Sequence, residues 1–225
     1  MTRTAYQNTL AELRQRLIDL GVLVRARLDQ GIDALVRHDQ ATGTLVREGD
    51  DDVDRAYATI ERICIDVLTL QQPVAGDIRF VTAAFRIVSD LERIGDLAVN
   101  LADYATDSEA LSMVDPTRIE QVGRVGSEML ADAMRAFADN NVFLANAVVR
   151  RDDELDELAW NTTKQFLEAL HHAGRQAWDD DTARRHAEEA LPILLSMRDL
   201  ERAGDHAVNI ARRVIYIVTG DDGAR

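Results

Sequence analysis

Apolar residues recur along this chain with the period of a helix rather than a strand. Leu10, Leu13, Leu17, Leu20 and Val24 alternate spacings of three and four, which is one helical face, and predict a helix from about Thr4 to Arg37. Asp39 suits an N-cap. The stripe Val46, Val53, Tyr57, Ile60, Cys64 and Val67 then predicts a second helix that runs to Gln72 and is stopped by Pro73. A third opens at Gly76 and Asp77 and continues to about Tyr104. The stretch Thr106 to Pro116 is polar and turn-like and reads as a linker. Beyond it the plan repeats, with helices expected from about Pro116 to Asn140, Asn141 to His172 and Asp181 to Val218. A short polar tail, Gly220 to Gly223, follows.

The repetition extends to the residues themselves. Residues 90–102 read DLERIGDLAVNLA and residues 199–211 read DLERAGDHAVNIA, identical at 10 of 13 positions. Shared helical composition does not produce that, so the chain carries an internal duplication. Asp50-Asp51-Asp52-Val53-Asp54 likewise aligns with Asp152-Asp153-Glu154-Leu155-Asp156. The expected fold is all-α: two tandem three-helix bundles, residues 1–108 and 115–225.

Each repeat holds two acidic pairs spaced four apart, which places both members on one helix face. They are Asp50 with Asp54 and Glu92 with Asp96, then Asp152 with Asp156 and Glu201 with Asp205. These acids continue apolar stripes: Val81, Phe85 and Val88 lead to Glu92, and Leu194 and Met197 lead to Glu201. They should therefore face a neighbouring helix at the rim of the core. Converging carboxylates repel and raise one another's pKa, and a multivalent cation relieves that repulsion. Oxygen donors suit magnesium, calcium or manganese, with iron also compatible. The plainer alternative is a set of solvated or arginine-paired acids. Gly95 and Gly204, one residue before Asp96 and Asp205, point to close helix packing. Asn100 and Asn209 extend the acidic face by a turn as candidate outer-shell groups or carbonyl ligands, and His206 is a weaker ligand candidate.

The formal net charge of −14 argues against a nucleic-acid partner and against charge-driven binding to an acidic membrane. No run reaches the roughly 18 apolar residues of a membrane span. No signal-peptide pattern opens the chain, and the single cysteine, Cys64, falls in a helical stripe, so a reducing, cytoplasmic setting is expected.

The string Gln72-Pro73-Val74-Ala75-Gly76-Asp77-Ile78-Arg79 followed by LERIGDLAVN, with LERAGDHAVNIA and Val214 to Gly220 in the second half, resembles the PhoU family of phosphate-uptake regulators. The resemblance implies two three-helix bundles with pseudo-twofold symmetry, often as a homodimer. It implies a cytoplasmic protein, peripheral to the membrane only through its partners, the ATPase of a phosphate ABC transporter and a sensor histidine kinase. It implies negative regulation of phosphate uptake and of the starvation response. It also implies metal ions, with iron, zinc, manganese or magnesium as candidates, at Asp50, Asp54, Glu92, Asp96, Asp152, Asp156, Glu201 and Asp205.

Two other classes compete with a regulatory binding protein. One is a di-iron helical-bundle enzyme, which would use Glu-x-x-His; here Gly95 and Gly204 stand three residues after Glu92 and Glu201. No P-loop, nucleophile elbow or histidine zinc motif is present, so no catalytic residue is assigned. The other is a metal-free scaffold that only docks partners.

Overall fold

The computed structural model describes residues 3–70, 74–105, 114–175 and 178–221, and its regular structure there is all α-helix. The first half consists of α1 (Arg3–Arg37), α2 (Gln40–Glu48), α3 (Asp50–Leu70) and α4 (Ala75–Asp103). The second consists of α5 (Pro116–Asp139), α6 (Val142–Arg150), α7 (Asp152–Gly174) and α8 (Asp180–Thr219). The expected stop at Pro73 and the linker residues 106–113 lie outside the described residues.

The duplication is visible in how helices end. His38 and Asn140, 102 positions apart, both adopt the left-handed conformation, at φ 56° and 49°. Each turn is closed by the same bond one residue later: Asp39 N–H donates to the Ala34 carbonyl and Asn141 N–H to the Ala136 carbonyl, both at 2.9 Å. The next side chain then caps the following helix. Asp39 accepts from the backbone of Ala41 and Thr42, and Asn141 accepts from that of Leu144.

The tandem helical bundles are as expected, except that the expected helices Asp39–Gln72 and Asn141–His172 are each divided into two segments. The interruption is one residue long, at Gly49 and at Arg151. Both keep near-helical angles, and each N–H still reaches carbonyls three and four residues back at 3.0–3.2 Å. The interruption leaves the apolar period intact, so the pattern gives no sign of it. The consequence is positional. Asp50 and Asp152 become the first residues of α3 and α7, where the positive end of each helix favours their negative charge.

Four long helices make the centre: α1 packs on α4 and α5, and α8 packs on the same two. One continuous core spans both halves, with Leu17, Leu91 and Ile94 from the first and Met129, Phe137 and Leu200 from the second. α3 lies against α4 and α1, and α7 lies against α8 and α5.

α4 and α8 run antiparallel and are pinned by polar groups from the repeated motif. Asn100 Nδ2 donates to Asp199 Oδ2 at 3.2 Å, and the Tyr104 hydroxyl donates to the same oxygen at 3.3 Å. The mirror contact is Asn209 Nδ2 to Asp90 Oδ1 at 3.4 Å. His206 Nδ1 lies 2.9 Å from that oxygen, so this nitrogen carries the ring proton if Asp90 is ionised. Asp199 is only 4 % exposed, so these donors, with Arg202 at 3.7 Å, are what make its charge tolerable.

Two stability predictions follow from the packing. A Cβ at Gly31 would stand 2.6 Å from the Ala98 carbonyl oxygen, a backbone atom that cannot swing away, whereas one at Gly76 would meet nothing within 4 Å. Gly31→Ala should lose about 1–3 kcal/mol by overpacking. Gly76→Ala should gain about 0.4–1 kcal/mol through helix propensity and a less flexible unfolded chain. Urea unfolding of both variants checks the opposite signs. At the α4–α8 contact, Asp199→Ala should cost about 1–3 kcal/mol because Asn100 and Tyr104 lose their acceptor, and Asp199→Asn should cost less. A midpoint unchanged in the alanine variant would contradict this account of the contact.

Candidate functional site

The eight candidate acids form two groups of four. Asp50 and Asp54 on α3 face Glu92 and Asp96 on α4, and Asp152 and Asp156 on α7 face Glu201 and Asp205 on α8. A glycine makes each approach possible. A Cβ at Gly95 would stand 3.1 Å from Val53 Cγ1, and one at Gly204 would collide with the Leu155 side chain. Val53 and Leu155 lie between the two acids of their own helix, so seating them over glycine draws the acidic faces together. The packing role expected for Gly95 and Gly204 is thus what the structure shows.

Electrostatics registers the convergence. Asp50, half-buried, is held above the ordinary carboxylate range by burial first and then by Asp54, Asp96 and Asp51, with Arg27 opposing. Glu92 is raised by burial and then by Asp96, with Arg93 opposing and Asp54 and Asp50 adding. In the second half Asp152 is raised by burial, Asp156 and Asp205, against Arg212. Asp156 is raised by burial, Asp205 and Asp153. Glu201 is raised by burial and then by Asp156, Asp205 and Asp152. Carboxylates far apart in sequence therefore feel one another across each helix pair, as their alignment with the apolar stripes requires.

The two groups are not equally compensated. Arg93 lies 3.1 Å from Asp96 and 3.5 Å from Glu92. Its repeat equivalent, Arg202, turns instead to Asp199, and none of the described ion pairs involves Glu201 or Asp205. Arg151 is committed to Glu128 at 2.9 Å, Asp132 at 3.7 Å and Glu154 at 3.8 Å. Asp152 Oδ1 is buried without a hydrogen-bond partner. A cleft of about 220 Å³ between α7 and α8, lined by Asp156, Trp160, Met197, Arg198 and Glu201 among others, opens this group to solution.

An orphaned carboxylate oxygen beside three further carboxylates fits a hard cation in donor type and charge. Among the described residues, no three His, Cys, Asp or Glu side chains already stand in ligating arrangement. Asp54, Asp156 and Asp205 are exposed, so an ion would have to draw them inward. Three other candidates are placed elsewhere. Asn100, Asn209 and His206, considered as outer-shell groups or ligands, bond across the α4–α8 contact to Asp199 and Asp90. The sequence signal for that role was the first aspartate of each DLER string, which the acidic pairing left unused.

Comparison with known proteins agrees with this geometry. A family model described as the PhoU domain matches residues 17–105 and again 119–214. The phosphate-specific transport system accessory protein PhoU homolog of Pseudomonas putida is 32% identical over 95% of this chain and 80% of its own length. The corresponding protein of Pseudomonas aeruginosa is 32% identical over 95% and 85%. Among solved structures, PhoU from Pseudomonas aeruginosa superposes with a TM-score of 0.83 at 30% identity, covering 96% of this chain and all of that one. The phosphate transport system regulatory protein PhoU from Streptococcus pneumoniae gives 0.83 at 25% identity, covering 96% and 98%. Both halves of the chain carry the family's domain and the whole superposes on its solved members, so this chain belongs to the PhoU family.

Proposed function

We propose that this protein is a regulatory accessory of phosphate transport. It restrains uptake and the starvation response by linking the ATPase of a phosphate ABC transporter to a sensor histidine kinase, without turnover of its own. The observation that carries the reading is the PhoU match in both halves, since the relatives in two Pseudomonas species bear the name of accessory proteins of phosphate-specific transport. None of the described helices is long and apolar enough to cross a membrane, so association with a transporter would run through protein contact. A cytoplasmic homodimer is part of the proposal. The position that a di-iron enzyme would fill with histidine is here a glycine seated against Val53 or Leu155, which favours binding over redox chemistry.

The proposal includes metal at Asp50, Asp54, Glu92 and Asp96 and at Asp152, Asp156, Glu201 and Asp205. A bound divalent or trivalent cation would supply the positive charge that each carboxylate group lacks. The residues themselves do the rest: Asp152 offers an oxygen that no protein group satisfies, Glu201 lines the open cleft, and Asp50 and Asp152 stand in the first turns of α3 and α7.

Four outcomes are expected. Chelator-treated protein should melt lower than protein supplied with manganese, zinc, iron or magnesium, since a native-state ligand at 100 times its dissociation constant adds about 2.7 kcal/mol. Glu92→Gln with Asp96→Asn should remove the metal of the first half and leave that of the second, as read by elemental analysis; loss of all metal would favour one shared site.

The pH dependence of the chelated protein has a definite sign. Asp50, Glu92, Asp152, Asp156 and Glu201 have folded values above their unfolded ones, so the folded state holds extra protons just above the ordinary carboxylate range. Stability should therefore rise as pH falls from neutral into that window. It should fall in stronger acid, because Asp39, Asp115 and Asp179, lowered chiefly by hydrogen bonds from Thr42, Thr117 and Thr182, lose their contribution as they protonate. Melting curves from pH 7 downward, with and without metal, check the sign.

For the regulatory role, a strain lacking the protein should express starvation genes in phosphate-rich medium. Continued repression would count against this reading.

A further inference from the structure

A second feature lies away from the carboxylates and has the opposite charge. Between the N-terminal half of α4 and the C-terminal half of α8 is a cleft of about 310 Å³, lined by Thr82, Ala83, Arg86, Arg213 and Tyr216. The antiparallel register that pairs Asp90 with Asn209 sets Arg86 opposite Arg213 and Ala83 opposite Tyr216. One turn or two further on, the Arg79 guanidinium reaches the Gly220 cap of α8, about 3.9 Å from where a Cβ there would stand.

The guanidinium groups of these three arginines form no ion pair or hydrogen bond with a protein group among the described residues, and Arg79 Nε and Arg213 Nε are buried without a partner. This occurs in a chain with 40 acidic residues against 26 basic ones, where carboxylate partners are in excess. The nearest acids along α4 are already engaged: Asp90 with His206 and Asn209, and Asp77 with the Tyr6 hydroxyl at 2.9 Å.

The duplication shows that the helix contact does not need these arginines. At the pseudo-symmetric positions, 109 residues away, Arg79 becomes Glu188, Arg86 becomes Leu195 and Arg213 corresponds to Tyr104. The same two helices pair at both ends, yet among the described residues an arginine faces an arginine across the contact at one end only.

We propose that this cleft binds a phosphoryl oxyanion, held between the guanidinium groups of Arg86 and Arg213 with Arg79 adding charge from the cap. Guanidinium forks match the oxygen spacing of phosphate, and an anion between two facing arginines removes their repulsion. Thr82 Oγ1 donates to the Ile78 carbonyl at 2.7 Å and so presents its lone pairs outward. It can accept the proton of monohydrogen phosphate, which sulfate lacks. The volume is at the low end of small-molecule pockets, which suits phosphate, pyrophosphate or a monoester head. The inference goes beyond the regulatory reading and does not depend on metal at the carboxylates.

The test uses full-length, chelator-treated protein, so that phosphate held by a metal does not contribute. Titration calorimetry with inorganic phosphate, pyrophosphate and sulfate at constant ionic strength forms one arm. Sedimentation with phosphatidylcholine vesicles with and without phosphatidic acid forms the other. Arg86→Gln and Arg213→Gln should each weaken binding by about tenfold or more, the loss expected for a charge-assisted hydrogen-bond pair. Arg184→Gln, an exposed arginine on the far end of α8, should not. Loss in the first arm identifies a free anion and loss in the second a lipid head. No binding in either arm, or binding that survives both cleft variants, overturns the proposal. Melting curves confirm that the variants are folded.

Discussion

The antiparallel contact between α4 and α8 is the constraint on which the rest of the structure depends. It joins the two halves along their duplicated copies of one motif, and it does so with buried polar groups that tolerate only one register. Asp199 is almost fully enclosed, so a shift of α8 by one residue would leave its charge without Asn100 and Tyr104, at a cost of several kcal/mol. Hydrophobic burial alone would accept neighbouring registers, because Leu, Ile, Val and Ala line both helices. The aspartate–asparagine pairs choose among them, and every feature that draws on both helices inherits the choice.

The motif divides its work between two faces of one helix. Its first Asp and last Asn look inward to the other half. Its Glu and central Asp look sideways to the shorter helix of their own half, and the Gly between them lets that helix come close. This explains why eight carboxylates can lie at the rim of a well-packed core. Their mutual repulsion is a local penalty, set against burial of Val53 and Leu155 beside them. Arg93 relieves part of it in the first half. In the second, the equivalent arginine is diverted to Asp199, and the less balanced group is left facing an open cleft.

Much of this was readable from the sequence, for identifiable reasons. Helix extent, the Asp39 cap, the duplication and the acidic pairs all lie in spacings of three, four and 102 or 109, which a linear pattern preserves. The breaks at Gly49 and Arg151 were not readable, because a one-residue interruption at near-helical angles leaves the apolar period intact. Asn100 and Asn209 were misplaced for a related reason. Helical spacing puts them in line with Glu92 and Asp96, and only the crossing of the partner helix shows that they turn toward Asp199 and Asp90. The arginine cleft left no trace at all. Its residues come from different halves of the chain and have no counterpart in the other repeat, so neither periodicity nor internal comparison brings them together.

The helix contact also bears on how such a chain could arise. Asp90 and Asn100 stand ten residues apart, as do Asp199 and Asn209, and in the antiparallel arrangement the acid of one copy meets the amide of the other. One copy alone is therefore self-complementary: two identical single-repeat chains would meet through an isologous twofold interface with both polar pairs made. Fusion of two such genes would have required no new contact. It would, however, have released the ends from symmetry, since residues that once had to serve both positions could then change in one copy only. Leu97 against His206, and Arg86 against Leu195, are differences that a homodimer of single repeats could not hold.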